Sequence, residues 1–316
     1  MVSLNKVFHW FITGGAGFIG SHLVKELVRQ GQRVTVFDNL SGGKLENLTA
    51  VKDKITFIQG DIRDFGALVQ ASQGVDYILH HAALISVAES MAKPQETADI
   101  NVQGTVNVLE AARSNCVKRV VFASSAAVYG TRPELPYTEN TSIDCQSPYA
   151  WSKQSGAELC QLYTKAYGVD AVALRYFNVF GPGQNPNSAY AAVIAKFMQF
   201  AADNKPLGID WDGLQSRDFV NVKDVVQANL LAATKAIPGE IYNVASGRTY
   251  TLLELADTLE KVSGRKLARV SRPKRPGDVH ESSADISKIK AIGYAPSVTL
   301  EEGLSEMWAE KMGAHE

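Results

Sequence analysis

A strand, a glycine turn and a helix follow one another at the start of the chain, and this unit constrains the fold more than any other stretch. The apolar run Val7–Ile12 reads as a buried strand, and Ser21–Val28 has helical spacing. Between them lies Thr13-Gly14-Gly15-Ala16-Gly17-Phe18-Ile19-Gly20. Gly15, Gly17 and Gly20 fit G-x-G-x-x-G, and Gly14, Gly17 and Gly20 fit G-x-x-G-x-x-G; both readings stay open. Gly14 and Gly15 permit a tight turn that a Cβ would block. Gly17 lets a pyrophosphate approach the backbone, and Gly20 lets the helix pack close to the strand. The helix N-terminus then offers free N–H groups and partial positive charge to phosphate. A second signal follows: the strand Arg33–Phe37 ends at Asp38. An acid there accepts hydrogen bonds from the adenosine ribose and repels a 2′-phosphate, which selects NAD over NADP.

Further strand patterns lie at Ile55–Gln59, Val75–His80 and Arg119–Ala123, with a helical stretch from about Gln95 to Ser114 carrying Asn101. Strands alternating with helices predict an α/β fold of Rossmann type, a doubly wound parallel sheet. Ligands in such sheets sit beyond the carboxyl ends of the strands, where Asp38, Asp61, Ala82 and Ser124-Ser125 fall. Asp61 is placed to reach the adenine. Asn39–Lys44 is either a flank of the adenosine or a solvated loop. Small residues after the fourth strand, Ala82 and Ala83, leave room for a flat cofactor. The less regular second half predicts a smaller substrate-binding lobe. Residues 1–177 with 220–245 form the expected dinucleotide domain, and 178–219 with 246–316 the lobe.

The totals exclude several classes. A net charge of −1 gives no electrostatic reason to expect nucleic acid or a membrane. No apolar run approaches the ~20 residues of a membrane span. Met1–Lys6 lacks a signal-peptide core. Cys116, Cys145 and Cys160 are scattered, without metal spacing, which suits reduced thiols of a cytoplasmic protein. The six histidines show no ligand spacing either, so no metal is expected; His80-His81 reads as packing or cofactor lining.

Ser147-Pro148-Tyr149-Ala150-Trp151-Ser152-Lys153 is the second anchor. Ser147 suits a helix N-cap and Pro148 the first helical position. Tyr149 and Lys153 are then i and i+4 on one face. A lysine ammonium favours the phenolate, as would a cationic nicotinamide, and turns the phenol into a general base near neutral pH. Tyr-x-x-x-Lys alone decides little. Joined to the glycine turn and to Ser124 and Ser125, whose hydroxyls follow the fifth strand, it carries weight.

With these motifs the chain resembles an extended short-chain dehydrogenase/reductase, and within that family a nucleotide-sugar 4-epimerase. The resemblance runs over nearly the whole chain. It also rests on Ser124–Gly130, Leu174–Pro182, Arg217–Val220, Tyr242–Val244 and Arg275–Asp278. It implies a tightly held NAD that is reduced and reoxidised within one turnover, with a UDP-sugar as substrate and a homodimer as the assembly. Tyr149 takes the proton of the sugar C4 hydroxyl, Ser125 is its partner with Ser124 beside it, and Lys153 holds the nicotinamide ribose. The resemblance assigns the cofactor to Gly14, Gly17, Phe18, Ile19, Gly20, Asp38, Asn39, Ser41, Gly42, Asp61, Ile62, Ala82, Ala83, Asn101 and Phe177, with Tyr149 and Lys153. It assigns the substrate to Ser86, Ser124, Ser125, Tyr149, Asn178, Ala192, Val193, Arg217, Arg275, Asp278 and Ser282. Asn178 binds a phosphate oxygen, the arginines clamp the diphosphate and Asp278 binds the uridine ribose.

Departures from the family narrow the activity. The 4,6-dehydratases resembled here carry Asp-Glu after the active-site hydroxyl residue, where this chain has Ala126-Ala127. Ser282 stands where epimerases restricted to glucose and galactose have a tyrosine, which leaves room for a 2-N-acetyl group. The segment Asn185–Ile194 resembles the subgroup acting on UDP-N-acetylglucosamine and UDP-N-acetylgalactosamine. UDP-glucose stays open as a substrate, alone or beside these, since a small added group discriminates by only ~1–3 kcal/mol. Another nucleotide-sugar enzyme of this fold and a non-catalytic NAD-binding protein are the remaining readings; intact Tyr149, Lys153 and Ser125 argue against the last. The stripe Val102, Val106, Leu109 and Ala112 suits either a dimer interface or packing on the sheet.

Overall fold

A computed structural model describes residues 3–185, 193–274 and 280–313. The first half alternates strands and helices: β1 His9–Thr13, α1 Phe18–Arg29, β2 Arg33–Asp38, β3 Thr56–Gln59, α2 Phe65–Ala71 and β4 Tyr77–His80. Short helices α3 Val87–Ala92 and α4 Pro94–Ala98 follow, and α4 runs through a π turn at Asp99–Gln103 into α5 Gly104–Ser114. Next come β5 Arg119–Ser125, α6 Pro148–Tyr167, β6 Ala171–Tyr176 and β7 Asn178–Phe180. The remainder holds α7 Val193–Ala202, β8 Leu207–Asp210, β9 Ser216–Asn221, α8 Val222–Lys235, β10 Ile241–Val244, β11 Thr249–Thr251 and α9 Leu252–Ser263. It closes with β12 Arg269–Arg272, β13 Glu281–Ser282, α10 Ser287–Lys290 and α11 Leu300–Lys311.

Seven parallel strands form the central sheet in the order β10-β6-β5-β4-β1-β2-β3. Alternation along each strand feeds two cores. Trp10, Ile12, Val34, Val36, Leu79, Val121, Val172 and Leu174 meet α1 and α8 on one face. Phe11, Phe37, Ile78, Val120, Phe122, Ala171 and Ala173 meet α2, α5 and α6 on the other. This period of two is what a strand buried on both faces must show. Strand order reverses between β1 and β4, so the loops after them diverge and open a crevice at the carboxyl edge.

A smaller sheet, β11-β9-β13 with β7 on β9, and the pair β12-β8 stand over that edge. Their core joins Phe180 of β7 and Phe219 of β9 to Phe197, Met198, Leu255, Leu259, Leu304 and Met307 from α7, α9 and α11. β10 returns to the large sheet through α8. The segment from Ala284 to Tyr294 also packs into the large core through Ala284, Ile286, Ile289 and Tyr294. Within the stretch 246–316 expected to form the lobe, these apolar side chains turn toward β10 and not toward α9 and α11.

Boundaries shift in three further places. β1 begins at His9, not Val7, because Val7 is 64% exposed and pairing with β2 starts at His9. β5 includes Ser124 and Ser125, which pair with Arg175 and Tyr176 instead of following the strand. The helix expected near 95–114 is divided by its π turn, which Asn101 occupies. Of the expected stripe, Leu109 and Ala112 on α5 are buried against the sheet, while Val102 in the π turn and Val106 on α5 are only half-buried.

Candidate active site

The glycine turn is shaped by contacts that leave no space for side chains. Gly14 has φ +69°, and an added Cβ would stand 2.6 Å from the Ala82 nitrogen across the crevice. At Gly20 an added Cβ would stand 2.2 Å from the Gly14 oxygen, so helix and turn touch through backbone alone. Gly17 caps α1 without any side chain to bond its first amides, and Phe18 and Ile19 form the first turn. Asp38 is buried and ties this turn to the end of β2: its carboxylate accepts from Ala16 N at 2.9 Å and Leu40 N at 2.8 Å. A cradle that a Cβ would fill, an uncapped helix N-terminus and an acid at the ribose position fit a dinucleotide without a 2′-phosphate.

The flanks of the crevice are fixed by their own polar contacts. Asn39 donates to Asp61 at 3.0 Å and accepts from Ser41 N, with Ser41 and Gly42 exposed. The Arg63 guanidinium bonds Asp61 at 2.8 Å and holds its carboxyl far below the usual range. Ile62 is buried against Gly104 on α5, so its side chain packs and only its backbone can face a ligand. Asn101 is likewise committed: its amide accepts from Leu84 N at 2.7 Å and donates to Leu84 O and to Ser152 Oγ, both at 2.9 Å. It pins the loop carrying Ala82 and Ala83 to α6. Phe177 lies in the core beside Tyr129, with its amide on Val244 O at 3.0 Å.

Beneath the crevice runs a network the sequence did not disclose. Thr13 Oγ1 meets His80 Nδ1 at 2.7 Å, and His80 Nε2 meets Thr105 Oγ1 at 3.1 Å. His81 Nε2 meets the Tyr176 hydroxyl at 3.0 Å, which donates to Asn229 at 3.0 Å. Burial lowers both imidazoles, His81 to about 3, so they are neutral braces. The adjacent histidines were the visible signal; their threonine and tyrosine partners are far away in sequence.

Ser147 caps α6 by accepting from Ala150 N at 3.1 Å, with Pro148 at the first helical position. Tyr149 and Lys153 share the face turned to β5. Ser90 on α3 fixes the start of this helix by accepting from Tyr149 N at 3.1 Å, and Ser86 caps α3. Lys153 is buried, donates to Ala123 O at 2.9 Å, and lies 5.9 Å from the Tyr149 ring centre. Burial lowers its ammonium to about 8. Burial raises the Tyr149 phenol, and a hydrogen bond with Ser125 opposes that rise. The expected lowering by lysine is therefore corrected: the ammonium is spent on the Ala123 carbonyl, and desolvation outweighs the rest. Consecutive strand residues point to opposite sides, so only Ser125 reaches Tyr149. Ser124 is buried and its hydroxyl donates to Lys153 O at 3.1 Å, which makes it a tether of α6 and not a group facing a substrate.

A cavity of about 670 Å³ opens within the lobe, between α7 and the strands β7, β8, β9, β11 and β12. Asn178, Val193, Arg217, Tyr250 and Arg272 line it. Asn178 donates to Asp218 O at 3.0 Å, and Arg217 donates to Ser216 O at 2.8 Å. Half-buried Ser282 pairs in register with Arg217. Arg272, which no motif marks, packs its guanidinium against Gly208. Ala192, Arg275 and Asp278, with 186–191 of the segment Asn185–Ile194, lie outside the described residues. A second cavity, about 610 Å³, is lined by Ser3–Lys6 and α8 at the amino ends of the strands, away from this chemistry. Among the described residues no group of three histidines, cysteines or carboxylates is placed to hold a metal, and no helix is long and apolar enough to cross a membrane.

Relatives share this architecture. A UDP-glucose 4-epimerase of Mycolicibacterium smegmatis is 37% identical over 302 residues, covering 93% of this chain and 96% of that one. The UDP-N-acetylglucosamine 4-epimerase of Methanobrevibacter ruminantium, solved with UDP-N-acetylmuramic acid, superposes with a TM-score of 0.94 at 38% identity, covering 98% of this chain and 100% of that one. The UDP-glucose 4-epimerase of Thermotoga maritima, solved with UDP-glucose, gives a TM-score of 0.91 at 36% identity over 96% of this chain and 99% of that one. Residues 10–245 match the NAD dependent epimerase/dehydratase family, and the chain belongs to that family.

Proposed function

We propose that the chain is an NAD-dependent UDP-sugar 4-epimerase whose pocket accepts UDP-N-acetylglucosamine and UDP-N-acetylgalactosamine, with UDP-glucose and UDP-galactose as a second pair. The observation that carries this reading is the convergence of Tyr149, Ser125 and Lys153 at the carboxyl edge of the sheet that also carries the glycine turn, with Asn178 and Arg217 lining a cavity of about 670 Å³ in the lobe. NAD supplies a hydride acceptor that also returns the hydride. Tyr149, hydrogen-bonded to Ser125, takes and restores the proton of the sugar C4 hydroxyl. Lys153 keeps a positive charge near the phenol and offers its remaining N–H groups to the nicotinamide ribose. Arg217 and Asn178 face the cavity where a diphosphate binds, and guanidinium geometry suits that group. Arg275, Asp278 and Ala192 keep the roles the resemblance implies.

The preference for an N-acetylated sugar is supported by Ser282, a small side chain in register with Arg217. The relatives acting on UDP-glucose favour the second pair as the alternative. Ala126-Ala127 after Ser125 leaves no carboxylate for a 4,6-dehydration. A homodimer through α5 and α6 is supported by Trp151 and Leu162, both about half exposed on α6.

The test is to incubate the purified protein, without added cofactor, with UDP-N-acetylglucosamine and separately with UDP-glucose, and to separate the products by chromatography. Conversion of the first to its galacto epimer is expected. Conversion of UDP-glucose alone would remove the Ser282 argument, and conversion of neither, even with NAD added, would remove the epimerase reading.

A further inference from the structure

The segments Ser124–Gly130, Leu174–Pro182 and Tyr242–Val244 meet at one buried cation. Arg175 on β6 is 2% exposed and among the largest fully buried side chains. Its Nη1 donates to the Tyr129 hydroxyl at 2.9 Å and to Glu139 O at 3.3 Å, and its Nη2 donates to Gln154 Oε1 at 3.2 Å. The guanidinium carbon lies 5.0 Å from the Tyr129 ring centre. Nε has no partner, and no carboxylate among the described residues forms an ion pair with this arginine. An apolar residue of similar volume would fill the space without the desolvation cost of several kcal/mol that a buried cation carries. Stability alone therefore does not account for it.

Its partners sit on the two elements that carry the reacting groups. Tyr129 ends the single turn Ala126–Tyr129 that starts at Ser125, and Ser125 caps that turn by accepting from Ala127 N at 3.2 Å. The Tyr129 hydroxyl donates onward to Asn243 on β10 at 2.6 Å, and Asn243 N donates to the Glu139 carboxylate at 2.7 Å. Gln154 follows Lys153 on α6. Ser124 and Ser125 pair with Arg175 and Tyr176 across the sheet. We infer that Arg175 is a positioning residue for catalysis, whose guanidinium locks the Ser125 turn and the Tyr149–Lys153 helix into one arrangement through Tyr129 and Gln154. The Ser125 hydroxyl and the Tyr149 oxygen must stay within hydrogen-bond reach while a proton moves. Misplacement of a reacting group by ~1 Å costs on the order of 10²-fold in rate.

The inference rests on Tyr149, Ser125 and Lys153 being the reacting groups. The test uses the full-length, NAD-loaded protein with the UDP-sugar that the wild type converts. Arg175→Met, Arg175→Lys, Tyr129→Phe, Gln154→Ala and the double variant R175M/Q154A are compared for kcat, KM, bound NAD and Tm. Arg175→Met is expected to lose about 10²-fold in kcat, with KM and bound NAD at wild-type levels. Arg175→Lys recovers part of that loss, and Tyr129→Phe and Gln154→Ala each lower kcat less. Adding Gln154→Ala to Arg175→Met changes nothing further, because the link is already cut. Should Arg175→Met fail to fold, the same kcat-without-KM loss in Tyr129→Phe and Gln154→Ala carries the inference. Variants that lower Tm but leave kcat unchanged, or losses that simply add, would show a packing role and overturn it. An inactive wild type, or a fully active Tyr149→Phe, defeats the underlying residue roles and takes the inference with it.

Discussion

Replacing Gly20 by alanine tests the close packing on which the dinucleotide cradle depends. Gly20 is the third residue of α1, and an added Cβ would lie 2.2 Å from Gly14 O and 2.8 Å from Gly15 Cα. Ordinary contact begins near 3.4 Å, so the two backbones must part by more than an ångström. No rotamer relieves a clash between main chains. The turn cannot yield, since Gly14 N donates to Phe37 O at 2.9 Å and Gly14 O accepts from Gly17 N at 3.1 Å. Nor can the helix slide freely, because Leu23, Val24 and Leu27 are fully buried against the sheet and α8. Overpacking of this kind costs about 1–3 kcal/mol, and each kcal/mol lowers Tm by about 2–4 °C in a domain of this size class. The larger effect falls on the cofactor. A hydrogen bond to a charged group contributes ~1.5–3 kcal/mol, so moving one amide off a phosphate weakens NAD binding about 10- to 100-fold. Calorimetric titration of NAD into cofactor-stripped protein, with thermal denaturation alongside, reads both terms. If Gly20→Ala binds NAD within twofold of wild type and melts within a degree of it, the cradle has slack and the reasoning fails.

Tyr149→Phe should keep the fold and the bound NAD while kcat falls about 10²- to 10⁴-fold; wild-type turnover in that variant would sink the proposed base. Ser282→Tyr should reduce kcat/KM for UDP-N-acetylglucosamine about 10- to 200-fold and spare UDP-glucose, and an equal effect on both sugars would contradict the proposed pocket. Asn101→Ala strips partners from Leu84 and Ser152 and should destabilise by about 2–4 kcal/mol, checked by urea denaturation; an unchanged midpoint would deny its bracing role. Asp218 is fully buried, and burial pushes its carboxyl up to about 6 although it accepts from Ser246 N, Ser246 Oγ and Gly247 N. The folded protein thus holds this proton more tightly than the unfolded chain, whose value is about 4. Its contribution is complete below about pH 4 and is lost as pH rises through 6, amounting to ~3 kcal/mol at most. Urea denaturation across that window should show wild type losing stability relative to Asp218→Asn, and parallel profiles would refute the assignment.

The large sheet was legible because its strands end in glycine or small polar residues and because both faces are apolar, as the opposed cores of Trp10 and Phe11 show. The site at its carboxyl edge was legible for the same reason: Gly14, Asp38, Ala82 and Ser125 each sit at a strand end. What stayed hidden depends on which way a side chain points or on a partner distant in sequence. Ser124 and Ser125 are indistinguishable as letters, and only strand alternation assigns one to Tyr149 and the other to the Lys153 carbonyl. Asn101 is assigned to the cofactor by the resemblance alone, and its hydrogen bonds to Leu84 and Ser152 have no counterpart in the local sequence. The lobe is harder still. β7, β11 and β13 are two or three residues long, too short for any period to register. The return of Ala284–Tyr294 to the large core is carried by four apolar residues spread over a loop and a short helix.

The tyrosine and lysine also show why spacing alone misjudges a site. At i and i+4 they appear to be a base and the charge that activates it. In the folded chain the same burial acts on both in opposite senses, raising the phenol above its ordinary value and drawing the ammonium down to about 8. At neutral pH the phenol is protonated and the lysine still carries its charge. Ser125 offsets part of the phenol's rise, but its hydroxyl is neutral and cannot supply the missing electrostatic pull. His80 and His81 cannot either, because burial keeps both uncharged. In the ligand-free chain burial therefore outweighs the groups that favour the phenolate. An oxidised cofactor bound over the glycine turn would add a positive charge beside the phenol, which favours the phenolate.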